Sequence, residues 1–289
     1  MRTRFLSTLP TMNRTTNRNC DRVRSAFTAV ALLAVAGLTP MASAQSTINL
    51  GGTVRDFHSY SSYAGYNPDF ENENGNDHGI VKNTLGSNGI PVYDLAAHPS
   101  GTKTTHVAGS IPYFDQWYKD TSGVNESAHY AISLARVGLT DLYSYSNTSF
   151  FPIDNQLFGN EGNNHNFSFT YQLHSAFGYK GGETFNFKGD DDVFVFLNKK
   201  LAIDLGGVHG GESASVNLDS VATSLGMSVG HNYDFDLFFA ERHTTASDFA
   251  ITTSIGLQNT DVPEPGRVAM LAAFGVSGGL VMLRRLRRK

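Results

Sequence analysis

The chain has 289 residues, a formal net charge of −4 and one cysteine, Cys20. A single thiol excludes a disulfide-stapled scaffold and a cysteine-ligated metal centre. Charge is unevenly spread: Gln45 to Asp261 hold 10 Lys+Arg against 24 Asp+Glu, near −14, which argues against a nucleic-acid partner and suits an extracellular protein that binds cations.

The first 24 residues are arginine-rich, and an apolar run from Ala26 to Leu38 follows. "TPMASA" then places Ala42 and Ala44 at the spacing a signal peptidase cuts. Basic, apolar and small-residue regions in this order predict a secretory signal over residues 1–44, cleaved between Ala44 and Gln45, with translation starting at Met1 or Met12. The apolar run is too short for a spanning anchor. Because Cys20 precedes it, no lipoprotein acylation is expected, and the processed chain has no thiol.

From Gln45 to about Asn125 the chain is rich in Gly, Asn and Tyr, as in "YSSYAGYNPDFENENGNDHG". This predicts an irregular elaboration packed on the following domain, not a domain of its own. Short β-branched and aromatic segments come next: 129–136, 166–173, 183–189, 192–198, 200–205, 214–218, 233–241 and 248–257. Several alternate with period two between Gly, Asn and Asp clusters. "FDQWYKD" (114–120) can form a helical turn or two, and no longer 3.6-residue stripe is sustained. The expected fold class is all-β, a β-sandwich or jelly roll with an irregular N-terminal elaboration, in one domain over residues 45–261.

The C-terminal segment, 262–289, opens on Val262, Pro263, Glu264 and Pro265. An apolar stretch at 268–283 and a basic tail at 284–289 follow. As a helix the stretch is about 24 Å long, enough for a short transmembrane span flanked by Arg267 and Arg284. The basic tail should stay cytoplasmic, leaving everything upstream outside. This VPEP–helix–basic-tail order resembles the PEP-CTERM sorting signal. The resemblance implies recognition by an exosortase in a Gram-negative bacterium. The protein would be anchored in the inner membrane in transit, then cut and passed to the cell surface or extracellular matrix.

Three consecutive acids, Asp190, Asp191 and Asp192, run directly into the apolar "VFVFL". Like charges repel, and carboxylates beside a buried strand lose solvation. The segment reads as strand, acidic turn, strand, tight turn at Asn198–Lys199, strand and a glycine-rich loop, Gly206–Gly211. The acids therefore sit at a strand junction at one end of the sandwich. Adjacent strand carboxylates point to opposite faces unless a turn, bulge or cis peptide intervenes. Converged, they suit Ca²⁺, with carbonyls of the glycine loop completing the shell. Aspartates capping a turn through backbone N–H groups need no metal, and account for one or two of the three. The pattern is not an EF-hand.

"GDDDVFVFLNKKLAIDLGGVHG" and "FFAERHTTASDFAITTS" (238–254), with "VRDFHSY", "NPDFEN", "GIVKNTLG" and "FDQWYKDTSGVN" upstream, resemble the fibro-slime domain over about Gly52 to Leu257. That domain is similar to the protective-antigen-type β-sandwich of toxins, glycosidases and fungal flocculins. In the flocculin branch two consecutive aspartates, joined by a cis peptide, hold a Ca²⁺ that grips sugar hydroxyls. The resemblance implies Asp191 and Asp192 as calcium ligands, with Asp190 beside them. A third ligand of that branch, a loop asparagine, has no counterpart here.

Glu241, Arg242 and His243 end a strand. They read either as a polar rim contacting a glycan or as a structural salt bridge. His209, between glycines, is a candidate ligand contact. No H-x-x-x-H or H-E-x-x-H pair occurs, which argues against a zinc enzyme. Tyr60, Tyr63, Tyr66, Trp117 and Tyr118 could stack on sugar faces or pack the core. The expected function is that of an exported, non-catalytic surface or matrix protein whose calcium-binding sandwich adheres to extracellular polysaccharide. A matrix scaffold without sugar binding is the alternative, and a polysaccharide hydrolase a remote one. The expected partners are a glycan, signal peptidase, exosortase and the inner membrane before processing.

Overall fold

The structure, a computed structural model, describes residues 45–71 and 73–260. The expected signal segment up to Ala44, the motif Val262–Pro265, the helix at 268–283 and the basic tail lie outside the described residues. Among the described residues no helix is long and apolar enough to cross a membrane.

In chain order the strands are β1 (Thr47–Phe57), β2 (Gly75–Asn76), β3 (Val107–Ala108), β4 (Ile111–Pro112), β5 (Asn125–Arg136), β6 (Tyr143–Asn147) and β7 (Phe169–Gly178). They continue with β8 (Thr184–Gly189), β9 (Asp192–Leu197), β10 (Lys200–Leu205), β11 (Gly207–Val208) and β12 (Glu212–Asn217). After helix α1 (Leu218–Leu225) come β13 (Asn232–Glu241) and β14 (Phe249–Thr253). A 3₁₀ turn at Tyr113–Gln116 occupies part of the expected helical stretch. Asn217 caps α1 by accepting from the Asp219 N–H, and Gly226 ends it at φ 70°, as helix-terminus chemistry requires.

Ten strands form one antiparallel sheet in the order β10-β9-β13-β7-β1-β5-β6-β14-β8-β12. The β5–β6 link is narrow, with two residue pairs, Ala135–Ser144 and Arg136–Tyr143. There the sheet folds over, so that β9, β13, β7 and β1 face β14 and β8. Rings from the two halves meet directly: Phe185 with Phe235 at 5.2 Å, and Phe239 with Phe249 at 5.3 Å. Phe150 stacks on Phe249 at 4.7 Å and touches Phe169, Tyr171 and Phe239. The fold is thus the expected all-β sandwich, made from one continuous sheet.

The first strand departs from expectation. β1 lies inside the stretch read as irregular, yet it is central, paired along its whole length with β5 and over Gly52–Asp56 with β7. Its sequence, "TINLGGTVRDF", carries Gly51 and Gly52 in mid-strand, which lowers strand propensity. Packing overrides this: the ring of Tyr171 occupies the space that a Cβ on Gly52 would fill.

The rest of the N-terminal elaboration covers the outer face of β9 and β13. Val193, Val195 and Leu197 point into the main core. Phe194, Phe196 and Phe238 point the other way, into a second core with Phe57, Phe70, Ile80, Val81, Tyr93, Phe114, Trp117 and Tyr118. This is why "VFVFL" is apolar at every position: a strand buried on both faces loses its alternation. Trp117 and Tyr118 are core residues, whereas Tyr60, Tyr63 and Tyr66 are exposed.

Candidate functional site

Two chain crossings between the sandwich halves lie side by side at one end. The first is Asp190–Asp191, between β8 and β9; the second is residues 242–248, between β13 and β14. Register fixes their proximity: Ala240 pairs with Asp192, Phe249 pairs with Gly189, and the Asp190 N–H donates to the Asp248 carbonyl. All peptide bonds among the described residues are trans. The turn is made instead by Asp191 at φ 48°, a left-handed conformation that short polar residues tolerate.

The turn buries all three acids; Asp190, Asp191 and Asp192 are 6%, 3% and 0% exposed, and Glu241 beside them is 1% exposed. Their environments differ. Asp192 Oδ1 accepts from the Gly207 N–H at 2.7 Å, and its Oδ2 from Arg242 Nε at 2.6 Å. Asp191 Oδ1 accepts from the His209 N–H at 3.0 Å, and Oδ2 from the Arg242 N–H at 2.8 Å. Asp190 Oδ1 and Glu241 Oε2 are buried without a hydrogen-bond partner.

Arg242, fully buried, joins this end to the elaboration. Its Nη1 donates to the carbonyls of Asp69 and Thr104, and its Nη2 to Thr104 Oγ1. The guanidinium lies 4.5 Å from the centre of the Trp117 ring, a cation–π contact. Asp69 in turn accepts from Trp117 Nε1 and from the His106 N–H. His243 Nδ1 lies 3.3 Å from Glu71 Oε1, and Thr244 donates to the same carboxylate.

One guanidinium therefore faces four buried carboxyls and pairs directly with one. Burial pushes the Asp191 carboxyl up to about 7, opposed by Arg242 and reinforced by the charge of Asp192. Glu241 is held well above the usual carboxylate range by burial and by the charges of Asp191 and Asp190. Asp190 is raised by burial and by Asp248. Asp192 is raised by burial and pulled back by Arg242. Such a cluster must share protons or hold a cation.

The glycine loop reaches this site through β11, which pairs with β2, Gly207 against Asn76. Gly207 has φ 127°, and a Cβ there would lie 2.3 Å from the Gly75 carbonyl oxygen. On the far side of Arg242, an open cleft of about 370 Å³ is lined by Ser59, Tyr60, Ser61, Tyr66, Pro68, Phe70, Glu71 and His106.

The expected site residues thus divide. Asp190, Asp191, Asp192, Glu241 and Arg242 are brought together, and His209 contributes its main chain beside them. His243 sits at the margin, against Glu71. Sequence reading missed Asp69 and Thr104, which hold Arg242 from a segment 138 residues or more away in the chain; only the acid in "NPDFEN" marked that region.

Residues 122–268 match the PA14 domain. The chain belongs to the PA14 domain family. It is 42% identical over 231 residues to Protein psiQ of Dictyostelium discoideum, covering 74% of this chain and 22% of psiQ. It spans about a fifth to two fifths of the length of the Dictyostelium psi proteins it matches. Among solved structures it is similar to the PA14 domain of the MpAFP antifreeze protein (10% identity, 77% of this chain and 97% of that one, TM-score 0.32). Another is the PA14 sugar-binding domain from an RTX adhesin (12% identity, 73% and 99%, TM-score 0.29). The PA14 match begins after β1, although that strand completes the centre of the sheet.

Proposed function

We propose that this PA14 domain is a non-catalytic, exported carbohydrate-binding module of a cell surface or matrix, with a Ca²⁺ ion held at its acidic end. The observation that carries the proposal is the charge imbalance there: Asp190, Asp191 and Glu241 are buried together, with Asp190 Oδ1 and Glu241 Oε2 lacking any partner. The available donors are all oxygens, which fits a hard cation. Asp190, Asp191 and Glu241 would hold it by drawing together, since without an ion they do not bring three oxygens within 4.8 Å of one another, while Asp192 fixes Arg242. Bound Ca²⁺ would supply a positive centre with room for further oxygen ligands. Arg242 orients the Asp191–Asp192 turn and ties it to the elaboration. Tyr60 and Tyr66 offer exposed ring faces beside the cleft, the form of surface on which sugars stack.

The burial of the acids favours a second reading on one point. An ion so enclosed would stabilise the end of the sandwich, and glycan contact would fall to the tyrosine cleft or be absent, leaving a matrix scaffold. A calorimetric Ca²⁺ titration of the full chain, with a glycan array run in Ca²⁺ and in EDTA, separates these. One equivalent of Ca²⁺, lost in Asp191→Asn and Glu241→Gln, together with Ca²⁺-dependent glycan binding, is the expected result. Ca²⁺ binding with a blank array leaves the scaffold. No Ca²⁺ binding at millimolar ion ends the calcium proposal.

A further inference from the structure

Outside the acidic cluster, the fold brings together three side chains that the sequence keeps apart. His78 follows β2 by two residues, His209 follows β11 by one, and Glu212 opens β12. The β2–β11 pairing and the bond from the Asp77 N–H to the Gly206 carbonyl set His78 beside the glycine loop. The pairing of Glu212 with Gly189 sets the carboxylate opposite. One ligand atom from each residue lies within 4.8 Å of the other two.

We infer that His78, His209 and Glu212 form a binding site for a divalent cation of the zinc class, distinct from the acidic end. Two imidazoles and one carboxylate are a borderline-soft donor set that hard Ca²⁺ does not favour. His78 Nε2 and Glu212 Oε2 stand 3.7 Å apart, close to the roughly 3.3 Å expected of two tetrahedral ligands with bonds of about 2.0–2.1 Å. Small rotations of the half-exposed His78 complete the closure. The other Glu212 oxygen is held by the Asn76 amide at 2.7 Å, the kind of outer contact that orients a ligating carboxylate. His209 gives a further indication. Its Nδ1 lies 3.1 Å from the Gly210 carbonyl oxygen and its Nε2 3.4 Å from that of Leu205. A neutral imidazole donates from one nitrogen only, so whichever tautomer His209 adopts, its other nitrogen presents a lone pair to a carbonyl oxygen. A cation there satisfies it.

Three protein ligands leave at least one position to water, and His78 keeps the site open to solvent. The ion would staple the elaboration at Asn76–His78 to the glycine loop and to β12. It would order the loop whose His209 N–H holds Asp191, without replacing any ligand of the acidic end.

The test uses the full chain carrying Cys20→Ser, which removes the one thiol. Zn²⁺ is titrated by calorimetry, and Co²⁺ serves as a spectroscopic probe. The expected result is one equivalent of Zn²⁺ and the visible absorption of a four- or five-coordinate Co²⁺. His78→Ala and Glu212→Gln should each weaken binding by at least about tenfold, and Asn76→Ala by about tenfold, with the metal-free melting temperature unchanged because all three side chains reach solvent. Asp191→Asn should leave Zn²⁺ binding intact, so failure here is separable from failure of the calcium proposal. Absence of saturable Zn²⁺ binding overturns the inference and leaves a surface ion pair; so does binding that survives His78→Ala with Glu212→Gln.

Discussion

Replacing Arg242 by Met removes the one cation paired inside the acidic end while nearly preserving side-chain volume. Asp192 is then left fully buried with a single N–H donor, from Gly207, and the carbonyls of Asp69 and Thr104 lose Nη1. Breaking a buried ion pair from one side costs about 3–5 kcal/mol. In a domain of about this size each kcal/mol moves the melting temperature by roughly 2–4 °C, so a fall of about 6–20 °C is expected. Urea unfolding of the full chain, followed by fluorescence of the single tryptophan, gives the same quantity; Trp117 lies directly under the guanidinium, so its native emission should shift as well. Asp192→Asn alone should also destabilise. The double variant should lose less than the sum by about 0.5–3 kcal/mol, because the two residues share one interaction. A cost below about 1 kcal/mol for Arg242→Met, or additivity of the two single changes, would refute Arg242 as the residue that holds this end together.

The acidic end also sets a pH dependence. Asp191, up at about 7 when folded, and Asp56, likewise raised to about 7 by burial, each contribute stability that is full below the unfolded carboxylate range and lost as pH rises toward 7. In EDTA the protein should therefore melt higher at pH 5 than at pH 8, and Asp191→Asn should shrink that difference; a melting temperature that rises from pH 5 to pH 8 in EDTA contradicts it. Gly207→Ala forces a Cβ against the Gly75 carbonyl at a φ that L-residues avoid, and should cost on the order of 1–3 kcal/mol, read as a lower midpoint in urea. If the tyrosine cleft carries the glycan, Tyr60→Ala with Tyr66→Ala should abolish array binding while leaving the melting temperature unchanged.

Strand content was legible where alternation or an unbroken aromatic run survived in the sequence, as in 192–198 and 233–241. β1 was not, because its glycines answer to the ring of Tyr171 and not to local propensity. β6, "YSYSN", alternates but is only five residues long, too short for the alternation to stand out, and α1 is too short to show a stripe. At the site, the acidic turn announced itself through adjacent like charges beside apolar residues. Its partners could not be read the same way. Arg242 meets Asp69 and Thr104 across 173 and 138 residues, and His78 meets Glu212 across 134. Separations of that length carry no periodic signal; register between strands creates them.

The same register explains why acids at these positions point toward a cation. A sandwich made from one folded sheet must pass its chain between halves at the ends, and here two crossings share one end. Where only one oxygen of a side chain is needed as acceptor, Asn or Gln would meet that need without the desolvation cost of charge. Asp191 accepts one such bond on each oxygen, which an amide with a single oxygen cannot reproduce, so capping accounts for that carboxylate. Asp190 Oδ1 and Glu241 Oε2 have no such partner, and the few contacts to these two carboxyls, from Asp248, His243 and Ser247, need only one oxygen of each, so capping alone gives little reason for a charge there. Protons neutralise the group at low pH only, since the carboxyls must ionise as pH rises. A divalent ion neutralises it at any pH above that range, and gives Asp190 Oδ1 and Glu241 Oε2 a counter-charge beyond the contacts these carboxyls make with Asp248, His243 and Ser247. On that argument Glu241→Gln should raise metal-free stability at pH 8 and lower it in Ca²⁺. A change of the same sign in both conditions would mean that the end is held by protons alone.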